Sequence, residues 1–440
     1  MLSSKQTLKD LSFINSENGG SVFSLIDQCS TYLGRNIVLK QISKSPQSFE
    51  ELQAQQDVIK YWAAHPQNWA TQISNGTIVM LEKFYESADS YQSQPRGISN
   101  STFFQKLFNR NEYHFTQFSL AHLSDFILGC QDLTALLKKE QALPRLLQKT
   151  LEAMDLALQH PLMPLIAKLD KHTPFKDLAQ LSFKARREIK ANIHELISLY
   201  AQLDAWQGMA LATRTNGWNF PTLIQDKQVC LDAKGLYHPL LDNAVQYSIS
   251  FGQDSNFMIL TGANMSGKTT LMRALGISAI LAHLGMGVPA DELSISFLEG
   301  VITNMHVEDD LLKGESFFLA EVKSMKHTAE AIAQKGAQLV LMDELFKGTN
   351  VHDAYDCTKA IVEGLLQHPQ HIMILSTHLH EVAYHFEKQK GLVFYCFHTT
   401  IGKEGNFEFN YQLKEGISDE RIGYKILVKE GIVNILHHKG

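Results

Sequence analysis

Along the first half of the chain, apolar residues recur every three or four positions. Stretches such as DLTALLKKEQALPRLLQKTLEAMDLAL and FKARREIKANIHELISLYAQLDAW keep this spacing from about Leu52 to Met209, which predicts an all-helical region. Between these helices, NGTIVMLEKFYESADSYQSQPRGISNSTFF carries Gly, Pro, Ser and Asn punctuation and is expected to form an irregular excursion over about Gly76 to Phe118. Past Asn216 the rhythm changes. Short apolar runs, FMIL, QLVLMDE and HIMILSTH, alternate with helical segments, as in a mostly parallel sheet wrapped by helices. An all-α region, 1–215, is thus expected to precede an α/β region, 216–440. No internal repeat or low-complexity tract interrupts this plan.

The longest apolar stretch, Leu271 to Val288 (LMRALGISAILAHLGMGV), contains Arg273 and His283, so a buried helix is expected rather than a membrane span. With 440 residues, 44% of them hydrophobic, the chain can bury more than one core. Its net charge of −6 argues against coating by nucleic acid through bulk electrostatics and confines any DNA contact to a local surface. The five cysteines, Cys29, Cys130, Cys230, Cys357 and Cys396, are far apart and form no CxxC pair, which disfavours disulfide scaffolds and zinc ribbons. The opening MLSSKQTLKD lacks the basic-then-apolar layout of a signal peptide, so a cytoplasmic protein is expected.

The candidate chemistry begins at LTGANMSGKTT. Gly262, Gly267, Lys268 and Thr269 fit G-x-x-x-x-G-K-[ST] after an apolar strand and before a helix, the setting in which this pattern binds a nucleotide. Glycines let backbone N–H groups of Gly262, Ala263, Asn264, Met265, Ser266, Gly267 and Thr270 close around phosphate oxygens. Lys268 reaches the outer phosphates, and the Thr269 hydroxyl ligates Mg²⁺. QLVLMDE supplies the complementary carboxylates at the end of another strand: Asp343 for Mg²⁺, Glu344 to polarise the attacking water. His378, in MILSTHLHEVA, follows a third apolar run, where it is placed to sense the terminal phosphate; His380 is read as a surface histidine.

TGANMSGKTTLMRALGISAILAHLGMGVPADE closely resembles the phosphate loop and following helix of the MutS mismatch-repair ATPases, including Asn264-Met265 and the G-x-x-V-P-A exit at Gly285 to Ala290. EDDLLKGESFFLAEVKSM, Glu308 to Met325, resembles that family's signature segment, with Phe317 where the family carries threonine. LVLMDELFKGTNVHDAYD resembles its Walker B segment, with Asp343, Glu344, Gly348, Thr349 and Asp353 at matching places. STHLHEVA, EGISDERIGYKILVKEGI and YHPLL resemble its histidine switch, closing segment and entry strand, and GGSVFSLIDQCSTYLGRNIVLK the start of its helical core.

This resemblance implies an ABC-like P-loop ATPase domain behind a helical lever, ATP and Mg²⁺ as cofactors, and a homodimer in which Ser316 faces the nucleotide of the opposite subunit. Aligned without gaps, Val245 falls where the family packs an apolar residue on adenine. Because the lever begins near residue one, neither a mismatch-reading domain with its Phe-x-Glu wedge nor a connector is expected, and the excursion does not read as a β-rich clamp.

Two functions stay open: ATP-dependent binding of mismatched or branched DNA, and a nucleotide-switched module for a protein partner. Lys184, Arg186, Arg187 and Lys190 are candidate phosphate contacts, but Glu188 and Glu195 beside them suit a solvated mixed-charge face. A transporter-type ATPase ranks last, since Leu-Ser-Gly-Gly-Gln occurs nowhere in the chain.

Overall fold

A computed structural model describes residues 2–14, 20–44, 46–69, 73–87, 110–140, 142–169, 173–225, 228–305, 316–334, 336–401, 407–418, 432 and 435. The chain forms two compact units. One comprises Met1–Ile26, Gln41–Gln53 and Thr215–Gly440; the other comprises Asp27–Lys40 and Ala54–Arg214. A single cut at residue 215 therefore needs correction, because the first 26 residues group with the α/β unit. The reason is packing: Leu11 and Phe13 are fully buried, and Leu11 lies where any side chain at Gly276 would stand.

The main sheet has seven strands in the order β1-β7-β8-β9-β5-β10-β11: β1 (Leu2–Ser3), β5 (Phe257–Thr261), β7 (Gly300–Asn304), β8 (Gln338–Asp343), β9 (Ile372–Ser376), β10 (Leu392–Ile401) and β11 (Phe407–Glu415). Every neighbouring pair is parallel except β10 with β11. β5, β8 and β9 are buried along their whole length, which is why they read as unbroken apolar runs. A second sheet of four strands was not expected from the sequence. Its order is β2-β6-β3-β4, with β2 (Thr222–Ile224), β3 (Leu231–Leu236), β4 (Tyr247–Phe251) and β6 (Glu292–Ser296); only β2 and β6 run parallel.

Helix Lys268–His283 is buried almost all round, which accounts for its apolar sequence. Among the described residues no helix is long and apolar enough to cross a membrane. Phe257, Ile259, Val340, Met342, Met373 and Leu375 of the strands pack with Val362, Leu365 and Val382 in one core.

The helical unit is built largely from Arg110–Leu137, Arg145–Leu158, Phe175–Glu188 and Lys190–Thr215, whose last residue falls in the other unit. Asp204, fully buried, accepts from the N–H groups of Ser30 (2.8 Å) and Thr31 (2.8 Å) and from the Thr31 hydroxyl (2.6 Å). Gly34, the glycine of LGR, leaves room for that carboxylate. The expected irregular excursion is also corrected at both ends, since Asn75–Glu86 and Arg110–Leu137 are helices. Ser74 caps the first through a reciprocal pair with Thr77, and Ile78, Leu81, Phe84 and Tyr85 bury one face, so the Asn-Gly at its start opens a helix rather than a turn. Residues 88–109 of the excursion lie outside the described residues.

Candidate functional site

Between β5 and the helix that starts at Lys268 the backbone turns sharply. Gly262 (φ 140°), Met265 (φ 67°) and Gly267 (φ 108°) all have positive φ. The two glycines adopt it freely, whereas Met265 carries a cost of roughly 1–2 kcal/mol. A β-carbon at Gly262 would also stand 3.0 Å from the Phe397 carbonyl. Inside this turn the Lys268 ammonium, 4% exposed, donates to the carbonyls of Gly262 (2.8 Å) and Ala263 (3.0 Å). Burial lowers its pKa, and the neighbouring carboxylates of Glu344 and Asp343 oppose that shift. The Ser266 hydroxyl is buried with no hydrogen-bond partner among the described residues.

The end of β8 brings both predicted carboxylates to this turn. Asp343 accepts from the Thr269 hydroxyl (2.7 Å) and, by a short bond, from the Ser376 hydroxyl at the end of β9. Glu344 leaves the strand with φ 52°, its N–H donating to Ser376 O (2.9 Å). Its carboxylate lies 3.1 Å from Lys347 Nζ, 3.8 Å from Lys268 Nζ and 3.8 Å from His378 Nδ1. Phe346, two residues on, is again left-handed at φ 61°. Thr349 and Asp353 meet beside Asn350, whose side chain caps helix Val351–Leu365.

A pocket of about 670 Å³ opens over the turn, a size that suits a small organic ligand. Asn264, Met265, Ser266, Gly267, Lys268, Thr269, Thr270, Asp343, Glu344 and Val245 line it, so the structure brings together residues that the sequence separates widely. Gly262 and Ala263 act beneath it through their carbonyls. His378 and Ser316 do not line the pocket. His378 stands behind Glu344, while exposed Ser316 caps helix Phe317–Ile332, its Oγ accepting from Leu319 N (3.3 Å). His380 is partly exposed and opens the short helix His380–His385. The acidic run of the signature segment, Glu308–Gly314, and the end of the closing segment, 419–431, lie outside the described residues.

Several pocket residues escaped the sequence reading. Tyr247 of β4, Tyr411 of β11, His238 and Lys347 all line it. Tyr411 is left-handed at φ 52°, and its ring edge would stand 3.3 Å from a β-carbon at Gly267. Burial, with Arg273 nearby, pulls His238 down to about 4; it is neutral at pH 7 and its Nδ1 accepts from Leu240 N (3.3 Å). Burial beside Tyr411 pushes Tyr247 up to about 12.

The site fits a nucleotide with a divalent cation on the structure's own terms. Positive-φ glycines keep side chains out of the turn, a buried ammonium sits within it, and a buried hydroxyl has no partner among the described residues. Beside them, Thr269 and Asp343 present the hard oxygen atoms that magnesium prefers.

Comparison with known proteins agrees in the same region. The family model for MutS domain V matches residues 258–436. The chain is 28% identical over 265 residues to the DNA mismatch repair protein MutS of Halalkalibacterium halodurans, covering 58% of this chain and 30% of that protein. Against the MutS of Lawsonia intracellularis it is 31% identical over 257 residues, 56% of this chain and 28% of the relative. For Lactococcus lactis MutS the identity is 26% over 250 residues, 56% and 29%. The match thus spans under a third of each relative's length. The stretch that carries Lys268, Asp343, Glu344 and His378 lies wholly inside the matched residues, and over this region the chain is similar to MutS domain V.

Proposed function

We propose that the protein is a Mg²⁺-dependent ATPase whose nucleotide lies in the pocket over Asn264–Thr270, in an ABC-like P-loop domain. The observation that carries this reading is the joining of the two motifs: Thr269 bonds Asp343 at 2.7 Å while Lys268 and Glu344 lie 3.8 Å apart. Loop N–H groups and Lys268 bind the phosphates, the ammonium turning from the loop carbonyls to the ligand. Thr269 and Asp343 would hold the magnesium, which when bound neutralises charge on the phosphate oxygens. Glu344 takes the proton of the attacking water. Lys347 and His378 flank its carboxylate and fix its direction. Val245 would face the adenine, while Tyr247 and Tyr411 line the same pocket beside Gly267 of the phosphate turn.

The relatives are DNA mismatch repair proteins. By that likeness we assign the chain to ATP-dependent binding of mismatched or branched DNA, with the helical unit as lever. The working form is a homodimer in which Ser316 reaches the partner's nucleotide; its place at an exposed helix start supports this. A second reading, a switch for a protein partner, draws on Arg186. This residue stacks 4.2 Å over Phe84 and bonds Ser87 (3.1 Å), and Arg187 lies 5.3 Å over Phe183, so two of the candidate phosphate contacts are engaged within the helical unit.

The Glu344→Gln variant tests the chemistry. It should retain ATP affinity within about threefold and hydrolyse about 100- to 1,000-fold more slowly; wild-type turnover in this variant removes the role given to Glu344. The same protein, with and without ATP, is then offered homoduplex, mismatched and four-way-junction DNA at two salt concentrations. Tight, salt-sensitive binding to one of them supports the DNA reading. No binding, in protein that binds ATP, leaves the protein-partner switch.

A further inference from the structure

Glu321 lies on helix Phe317–Ile332, one turn beyond Ser316, and is 7% exposed. Its carboxylate reaches no described cation. One oxygen accepts from the main-chain N–H of Lys347 (3.0 Å) and the other from that of Gly348 (3.0 Å). A buried carboxylate loses its hydration, and here that loss is offset by two main-chain donors of a single loop. The loop is the one that leaves β8 through Glu344.

That loop needs holding. Glu344 and Phe346 both occupy left-handed backbone that L-residues disfavour. Phe346 is buried, its ring 6.0 Å from that of Phe318 on the same helix. Gly348 touches the helix so closely that a β-carbon there would meet Phe317 at 2.6 Å and the Phe318 amide nitrogen at 2.9 Å. A cavity of only about 90 Å³ separates helix from loop, lined in part by Phe317, Glu321, Glu344 and Lys347. Lys347, whose N–H Glu321 captures, turns its ammonium back onto Glu344 at 3.1 Å.

We propose that Glu321 is a positioning residue: its two main-chain hydrogen bonds hold the Glu344–Gly348 loop in its left-handed path and tie the direction of the Glu344 carboxylate to the helix that begins at Ser316. This rests on the ATPase reading for its catalytic half. Its mechanical half is independent of any nucleotide. It follows that a displacement at Ser316 travels to Glu344 through one side chain, within one subunit.

The test compares the wild type with Glu321→Ala and with the isosteric Glu321→Gln, which keeps one acceptor oxygen and tolerates the same packing. Three quantities are read: amide hydrogen exchange at Lys347 and Gly348, the equilibrium Kd for ATP, and kcat. In Glu321→Ala the two amides should exchange at least about tenfold faster and kcat should fall about 10- to 100-fold, with Kd for ATP within about twofold. Glu321→Gln should lie between. A residue that merely stabilises the fold would shift binding and turnover together or neither. Unchanged exchange at both amides in the folded Gln variant overturns the proposal, and so does a Kd that rises as steeply as kcat falls. Wild-type protein without ATP turnover overturns the ATPase reading and the catalytic half; the exchange data still decide whether Glu321 holds the loop.

Discussion

The two units each bury ionisable groups, and they treat them in opposite ways. In the helical unit, Asp204 accepts from three donors at Ser30 and Thr31, just ahead of helix Tyr32–Ser43, and the Thr31 hydroxyl in turn accepts from Gly34 N (3.2 Å). In the α/β unit, Lys268 rests on the carbonyls of its own loop, Ser266 Oγ finds no partner among the described residues, and Met265, Glu344 and Phe346 sit in left-handed backbone. The first arrangement is complete as it stands. The second faces an open pocket, and backbone strain of this kind is commonly stored at binding sites.

Replacing the buried charge of each unit should break the symmetry of that comparison. Lys268→Met is expected to weaken ATP binding at least about 100-fold, measured by equilibrium titration, because the ammonium's contact with phosphate is lost. Its unfolding free energy should stay level or rise by up to about 1 kcal/mol, since a desolvated charge is removed. Asp204→Ala should do the reverse. It strands two N–H groups and a hydroxyl, so urea unfolding should show a loss of about 3 kcal/mol, with ATP affinity of the folded protein unchanged. If Asp204→Ala also abolishes nucleotide binding in folded protein, the division between scaffold and site is wrong.

Acid sharpens the contrast with a smaller effect. His238, buried in the α/β unit, is pulled down to about 4 from an ordinary 6.5. Between those values the unfolded chain takes up a proton that the folded one refuses, so unfolding is favoured as pH falls. The stability that neutral His238 contributes is complete above pH 6.5 and drains away toward pH 4, at up to about 1 kcal/mol per pH unit. A pH series of unfolding midpoints on wild type and His238→Asn should show a shallower slope in the variant. Equal slopes would place the acid sensitivity elsewhere, with fully buried His283, also pulled down to about 4, as the next group to replace.

The phosphate turn and the Asp343-Glu344 pair were legible in the sequence because each is a run of adjacent residues whose spacing does the chemistry. Val245 was placed only by likeness, and the pocket includes it. What stayed hidden depends on pairing across long separations. Tyr411 reaches the pocket because β11 folds back antiparallel on β10, which itself lies beside β5. Glu321 acts across a gap between a helix and a loop that no periodicity reveals. The N-terminal segment carries no strand signal, yet Leu2–Ser3 pairs as β1 with β7, and Asp10, at the end of helix Lys5–Asp10, accepts from Thr303 Oγ1 (2.6 Å) of β7. Helix Asn75–Glu86 was masked by the Asn-Gly at its start, where the capping Ser74 is the informative residue.

The placement of that N-terminal segment has a consequence for synthesis. The helical unit holds no residue beyond Arg214, so it can complete itself while the rest of the chain is still being made. The α/β unit has residues on both sides of it: Leu11 and Asp10 emerge long before β7, β8 and Gly276. On the ribosome, Leu11 and Phe13 must wait as exposed apolar groups until the sheet that buries them arrives. A fragment cut to begin at residue 216 would keep every motif residue of the site and still leave Leu11's place against Gly276 and Leu341 vacant.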